Sequence, residues 1–343
     1  MNKIKQLAAA MLAIVTLAAC NKEELLTPAP NADDIVRIAA TTIAARDADA
    51  ATRAAISEAD GIGSFQSGDE IGIWATPNYP TVYDISRTAT FNGTAWTYNT
   101  PLLWSNLPED QNGNGLYFII GHYPVQTATP DQYGSITFSV QTNQNTAEAY
   151  RASDLLVSGT IGLGLFVPVY SKKGETVSLN FVHVMSRIKV MLTAGSNVTQ
   201  EEVGNAVVKI KNAQVNYKIS LINGSTGDPD SPTYADITPL KSTTAAATFY
   251  AVLPLQFKQS GGKWIEIEVA VGGKVATYEL SAVTNLRCGY TQPVKLTLSR
   301  SGSSKSATTT RGRSAMGSVA DDGLGELMLE CTSAENHHYP LKQ

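Results

Sequence analysis

Between Phe65 and Leu298 the chain is a succession of short apolar or alternating runs, each stopped by turn residues. Asp69–Ala75 reads DEIGIWA, with Ile71 and Ile73 alternating with Gly72 and Trp74. Phe91-Asn92-Gly93-Thr94-Ala95-Trp96 places two aromatic arms around an Asn-Gly turn, the strongest short-range hairpin signal. Leu116–Tyr123 (LYFIIGHY) is a continuous apolar run closed by Pro124, as in a strand buried on both faces. Ser135–Val140 alternates. Val177, Leu179, Phe181, His183 and Met185 fall on one face of a period-2 run that Ile188, Val190 and Leu192 continue. Val207–Ile210, Val215–Leu221, Thr248–Leu253, Trp264–Val271, Lys274–Leu280 and Val294–Leu298 extend the series. In the fourth of these, Ile265, Ile267, Val269 and Val271 point inward while Glu266 and Glu268 point outward. Only Thr199–Asn205 offers a short helix. Many short strands with regular turns predict an all-β chain of sandwiches or barrels.

Size and charge narrow the class further. At about 100–200 residues per domain, 343 residues suggest two domains. Charged residues are 16%, against about 25% in ordinary soluble domains, so the polar surface rests on Ser, Thr, Asn and Gln. A net charge of −4 supplies no basic field, and no nucleic-acid partner is expected. The cysteines, Cys20, Cys288 and Cys331, are too few for a disulfide framework, and no CxxC or HExxH spacing supports zinc. GxSxG and P-loop motifs are absent from the sequence, so no enzyme and no cofactor are expected.

The leading residues read as an address. Lys3 and Lys5 precede an apolar run, Leu7–Leu17, and then Ala18-Ala19-Cys20. This is a basic region, a short apolar region and a small-residue cleavage site. The run is too short to span a bilayer, which takes about 20 apolar residues. Leu17-Ala18-Ala19-Cys20 also looks like a bacterial lipobox, which makes Cys20 the lipidation site. An ordinary signal peptide ending near Ala19 is the other reading. A Pro-containing tether, Leu25–Asn31, follows, and then a β-prone stretch holding Ile35, Val36, Ile38 and Ile43. Next comes RDADAATRAA, a small-residue segment with Arg46 and Arg53; segments of this kind are favoured for proteolytic nicking.

Few side chains form a chemical constellation. Asp110, Asn112 and Asn114 match the first half of an EF-hand loop, but position 12 is Gly121 and an apolar run intervenes. This half-site is a calcium candidate whose plain alternative is a polar turn before a strand. His183 and His122 lie on apolar strands and read as core histidines. Trp74, Trp96, Trp104, Tyr79, Tyr83 and Tyr98 could present faces to sugars, although Trp74 and Trp96 sit in strand patterns that favour packing.

Several segments, taken in order, resemble the fimbrillin-like lipoproteins of Bacteroidales, the subunits of type V pili. They are the lipobox to Cys20, Thr52-Arg53-Ala54, Phe65 with Gly68–Ile73, Leu103-Trp104-Ser105 before Leu116-Tyr117-Phe118, Ser153–Leu156, and Val177–Ile188. The resemblance implies two transthyretin-like β-sandwich domains in tandem. It divides the chain into a lipoprotein signal peptide (1–20), a tether and removable strand (21–53), an N-terminal sandwich (54–187), a C-terminal sandwich (188–300) and an atypical tail (301–343). It also implies a route: an outer-membrane lipoprotein precursor, cleavage by an arginine-specific protease, and strand exchange with other fimbrial subunits in a cell-surface fimbrium that supports adhesion. The cut would follow Arg53, freeing Ala54, with Arg46 as the second choice. The chain departs from the family in Ser301–Gln343, which has no Trp and little strand signal and is expected to be flexible. A non-polymerising surface lipoprotein that binds glycan or protein ligands is the alternative.

Overall fold

Glu70–Thr76 forms a strand whose Ile71, Ile73 and Ala75 enter one core while Trp74 enters another. Successive strand residues face opposite ways, and here both faces are covered. Leu116–Tyr123 repeats the arrangement, sending Tyr117 and Ile119 to the first core and Phe118 and Ile120 to the second. The continuous apolar run therefore marks a doubly buried strand, as its sequence predicts. These features come from a computed structural model that describes residues 31–42, 46–47, 65–76, 85–107, 116–127, 130–131, 134–162, 165–167, 170–221, 226–227, 229–258, 264–281, 286–302 and 326–333.

The first sheet has eight strands. Their hydrogen-bonded order is Ile38–Thr42, Val177–His183, Leu156–Ser158, Leu116–Tyr123, Glu70–Thr76, Ile85–Phe91 and Trp96–Tyr98, with Tyr170–Lys172 also paired to Leu116–Tyr123. The sheet curls around its inner core until its two end strands, Ile38–Thr42 and Trp96–Tyr98, approach each other. The Asn-Gly hairpin forms as expected. Phe91 pairs with Trp96, and Asn92 Oδ1 accepts the amides of Thr94 (2.9 Å) and Ala95 (2.8 Å). Gly93 takes φ +94°, a left-handed conformation that glycine adopts without a Cβ penalty.

The second half builds two further sheets around a continuous core. One contains Leu240–Lys241, Thr248–Leu253, Ser186–Ala194 and Tyr290–Arg300; the other orders Tyr234–Ile237, Val207–Gln214, Glu266–Val271 and Lys274–Glu279. Ile265, Ile267, Val269 and Val271 are buried as the alternation predicts, and Glu266 and Glu268 lie on the outer side. The one helix anticipated is Gln200–Gly204, closed by a reciprocal Thr199–Glu202 capping box. A second, Ala147–Ala152, is capped by Thr146 and is too short to show a helical period. The fold is all-β.

Three features depart from the sequence reading. The run from Val177 to Leu192 is two strands, Val177–His183 and Ser186–Ala194, in different sheets. The handover is fixed by backbone bonds from Val184 N to Leu155 O (3.0 Å) and from Gly289 N to Met185 O (2.8 Å), and by Ser186 Oγ donating to Arg287 O (2.7 Å). The expected boundary at 187/188 lies near this handover, yet Ser135–Ser139 pairs antiparallel with Asn216–Ser220 across it. Finally, the tail expected to be flexible contributes a seven-residue strand, Leu327–Ser333, on Tyr290–Arg300. Leu327 is buried and Leu329 and Cys331 pack against the core, but Met328 faces outward and half exposed, which blurs the alternation.

His122 is held by a small residue opposite it. Its ring stacks on Trp74 with centroids 3.6 Å apart, and a Cβ at its cross-strand partner Gly72 would stand 2.0 Å from Nε2. Gly72→Ala is therefore expected to destabilise the fold by about 1–3 kcal/mol, the usual range for overpacking. A urea midpoint unchanged from the parent would refute this.

Candidate functional site

The chain's leading segment is stitched along both halves of the molecule. Asp34–Val36 runs beside Leu102–Trp104, with Val36 N donating to Leu102 O (2.9 Å) and Trp104 N donating to Asp34 O (2.8 Å). Ile35 bridges Leu103 antiparallel. The Asp34 carboxylate accepts the Ser105 amide at 3.0 Å and the Ser105 hydroxyl. Val36 is fully buried in the inner core, and Ile38 and Ala40 pack against that core from the sheet edge. Ile38–Thr42 then lies parallel to Val177–His183, Ile38 opposite Val177 and Thr42 opposite Phe181. Farther along, Arg46 and Asp47 pair parallel with Tyr290 and Thr291 in the second half.

Two properties limit how firmly this segment is held. It is an end strand, so its pairing uses only one neighbour in the sheet. It is also parallel, a pairing slightly less stable per residue than antiparallel. The only ion pair it forms among the described residues, Arg37 to Asp33 at 3.6 Å, is solvent-exposed and worth little. Apolar burial of Val36, Ile38 and Ala40, with the Asp34–Ser105 bonds, holds it. Phe65 closes the nearby end of the core through edge contacts with Trp96 (5.0 Å), Tyr123 (5.8 Å) and Phe181 (5.2 Å).

The profile of the fimbrillin-like family matches residues 52–312. The chain belongs to the fimbrillin-like family. It is thus a fimbria-related protein of a structural, non-enzymatic kind. The fold of this fimbrillin-like chain is similar to a crystal structure of a candidate cell adhesion protein from Bacteroides ovatus. That match has a TM-score of 0.54 at 17% identity, covering 77% of this chain and 91% of the other. A second such protein, from Bacteroides uniformis, matches with a TM-score of 0.52 at 15% identity over 87% of this chain and 98% of its own. No curated protein matches the sequence.

The remaining sequence candidates of the fimbrillin-like chain divide clearly. Ile35, Val36 and Ile38 are docked as above, and Arg46 sits in the two-residue strand Arg46–Asp47. Cys20, Ile43, Arg53, Ala54, Asp110, Asn112 and Asn114 lie outside the described residues, as do Tyr79 and Tyr83. Among the described residues no group of three or more His, Cys, Asp or Glu side chains is placed to hold a metal. Trp74 and Trp104 are buried, so neither offers a face to a ligand; Trp96 is half-buried within the Phe65 cluster.

A polar cluster that spacing did not reveal lies at the junction of the halves. His183 Nδ1 and Asp154 Oδ2 are 2.7 Å apart, both groups buried. Arg187 Nε donates to Thr291 Oγ1 (2.8 Å), and its guanidinium lies 5.4 Å from the centre of the Tyr250 ring. Burial drives the Tyr150 hydroxyl above its ordinary range, opposed by the Arg187 charge. The His183–Asp154 and Arg187–Thr291 contacts lie inside the core, on the stretch where the chain passes between sheets, while His183 Nε2 has no hydrogen-bond partner among the described residues. Their arrangement positions strands rather than a substrate.

Proposed function

We propose that this chain is a pilin-type subunit of a cell-surface fimbria, exported as a lipoprotein acylated at Cys20 and matured by cleavage after Arg53. The observation that carries the reading is the docking of Ile38–Thr42 as a parallel end strand with Val36 buried beneath the same sheet. Loss of this segment would leave the backbone of Val177–His183 unpaired on one side and an apolar slot at Val36. An unpaired edge is a template for a further strand. Strand addition supplies main-chain hydrogen bonds, while alternate side chains filling the slot supply selectivity. Repeated head to tail, such contacts give an open filament. The acyl chains would hold the precursor at the outer membrane, each contributing about 0.8 kcal/mol per buried methylene. The protease and the neighbouring subunits are the partners this requires; the adhesion ligand is not defined by these residues.

N-terminal sequencing of protein recovered from cells tests the route. Mature protein is expected to begin at Ala54, and Arg53→Ala is expected to leave precursor starting at Cys20 and to abolish the SDS-resistant ladder of assembled subunits. Normal maturation of Arg53→Ala would overturn the assigned cut and point to Arg46. A ladder that never forms from cleaved parent protein would instead favour the non-polymerising binder.

A further inference from the structure

Among the described residues three aromatic side chains stand about half exposed, Tyr170, Tyr234 and Phe257, and two of them flank Gln214. Tyr234 lies opposite Gln214 in the pairing of Tyr234–Ile237 with Val207–Gln214. Phe257 follows Gln256, whose side-chain amide holds the Gln214 main chain. Gln214 N donates to Gln256 Oε1 (3.0 Å), and Gln256 Nε2 donates to Gln214 O (3.3 Å). The strand is bulged just before this point: its register on Tyr234–Ile237 shifts between Ile210 and Ala213, and Asn212 takes φ +57°. Bulges re-aim side chains and recur beside binding sites. Here Asn212 Nδ2 donates to Trp264 O (3.3 Å), and Asn212 N donates to Asp236 Oδ1 (3.3 Å).

Trp264 carries the second sign. Its side chain is 5% exposed, yet its indole Nε1–H has no acceptor among the described residues. A buried donor left unpaired is costly, and a bound group that completes it is one explanation of such a donor. Asp236 stands two residues beyond Tyr234, on the same strand face, and keeps its carboxylate nearly half exposed. Charge and area then choose the occupant. Lys211 is shared between Asp236 (3.2 Å) and Glu268 (3.3 Å), and Lys258 is paired with Glu279, so neither lysine is spare to draw an anion. Two aromatic rings supply roughly 300–500 Å² of contact, against about 800 Å² per partner in a stable protein interface. The residues joining them, Gln214 and Gln256, are amides rather than apolar side chains. We propose that Tyr234, Phe257, Asp236 and Trp264 form a binding site for a neutral saccharide. The C–H faces of its rings stack on Tyr234 and Phe257. Its hydroxyls donate to the Asp236 carboxylate and accept the Trp264 N–H, directly or through one water. The site goes beyond the assembly route above and needs no cleavage.

An array of neutral glucose, galactose, mannose and N-acetylglucosamine oligomers, printed beside sialylated and sulfated glycans and probed with the full chain, tests it. Binding to neutral members is expected, and titration calorimetry then gives the affinity of each hit. Tyr234→Ala and Phe257→Ala should each weaken it about tenfold, while Tyr234→Phe, which keeps the ring, should not. Trp264→Phe keeps a ring and removes the donor, and should weaken the same hits about fivefold. Both alanine changes are on exposed side chains, so urea midpoints are expected to match the parent, and lost affinity then reports the site rather than the fold. A blank on every neutral glycan overturns the proposal, as does preference for the charged ones. Neutral hits that survive the Tyr234→Ala/Phe257→Ala double variant place the binding elsewhere and overturn it too. Binding to a glycoprotein that persists after its glycans are removed, and that the double variant loses, assigns the rings to a protein partner and likewise defeats it.

Discussion

Lowering the pH from 7 to 4 is expected to destabilise the folded chain by roughly 3 kcal/mol through His122 alone. The side chain is fully buried between Gly72 and Trp74. Burial pushes its pKa from the ordinary 6.5 down to about 3, and the Gln126 backbone offsets this only in part. The sign follows from where each state takes up the proton. The unfolded chain protonates near 6.5, and the folded chain holds the ring neutral until about 3. Between those values the unfolded state binds more protons, so stability rises with pH there. It is fully present above the unfolded value and is lost as pH falls toward the folded one. Each unit contributes about 1.4 kcal/mol. Urea titrations at pH 7, 5.5 and 4 on the parent and on His122→Phe isolate the effect. Carboxylates elsewhere contribute equally to both, and a planar ring still covers Trp74. The parent should lose about 3 kcal/mol more than the variant by pH 4. Parallel losses would mean that His122 is protonated in the fold.

Local chemistry was legible in the sequence, and long-range pairing was not. The Asn92-Gly93 turn, the short helix within Thr199–Asn205 and the inward face of Ile265–Val271 each depend on neighbours a few residues away, and each forms. His122 and His183 read as core histidines and both are buried. Their partners Gly72 and Asp154 are 50 and 29 positions away, beyond anything that spacing encodes. The same limit hides the candidate site. Ile35, Val36 and Ile38 look β-prone from composition, but their docking depends on Leu102–Trp104 and on Val177, which are distant in sequence. Ser135–Ser139 crossing to Asn216–Ser220 is likewise a matter of register rather than pattern. Leu327–Ser333 was hidden differently. An exposed Met328 makes Leu-Met-Leu read as a patch rather than an alternation, and the Ser/Thr-rich stretch before it reads as linker.

Val36→Asp should undock the leading segment. Val36 is the residue on which its apolar hold concentrates: it is fully buried, its amide is bonded to Leu102 O at 2.9 Å, and Ile71, Ile73 and Trp104 share its core. A carboxylate placed there has no cation to meet among the described residues of that core. Burying it unpaired would cost on the order of 3–5 kcal/mol. Undocking the segment costs less than that, because parallel edge pairing is replaced by water and Val36 contributes about 2 kcal/mol of burial. The chain is therefore expected to escape locally, with Glu70–Thr76 and Leu116–Tyr123 still folded. Hydrogen exchange should quicken at Trp104, whose amide bonds Asp34 O, and at Val177, whose amide bonds Arg37 O, both at 2.8 Å. Amides of the central strands should stay slow. Arg37→Ala, which removes only the exposed pair with Asp33, should shift nothing by more than about 0.5 kcal/mol. Protection at Trp104 and Val177 that survives Val36→Asp would mean that the edge is held by something other than this core. A segment that cannot be loosened at its most buried residue cannot be the element that the proposed maturation removes.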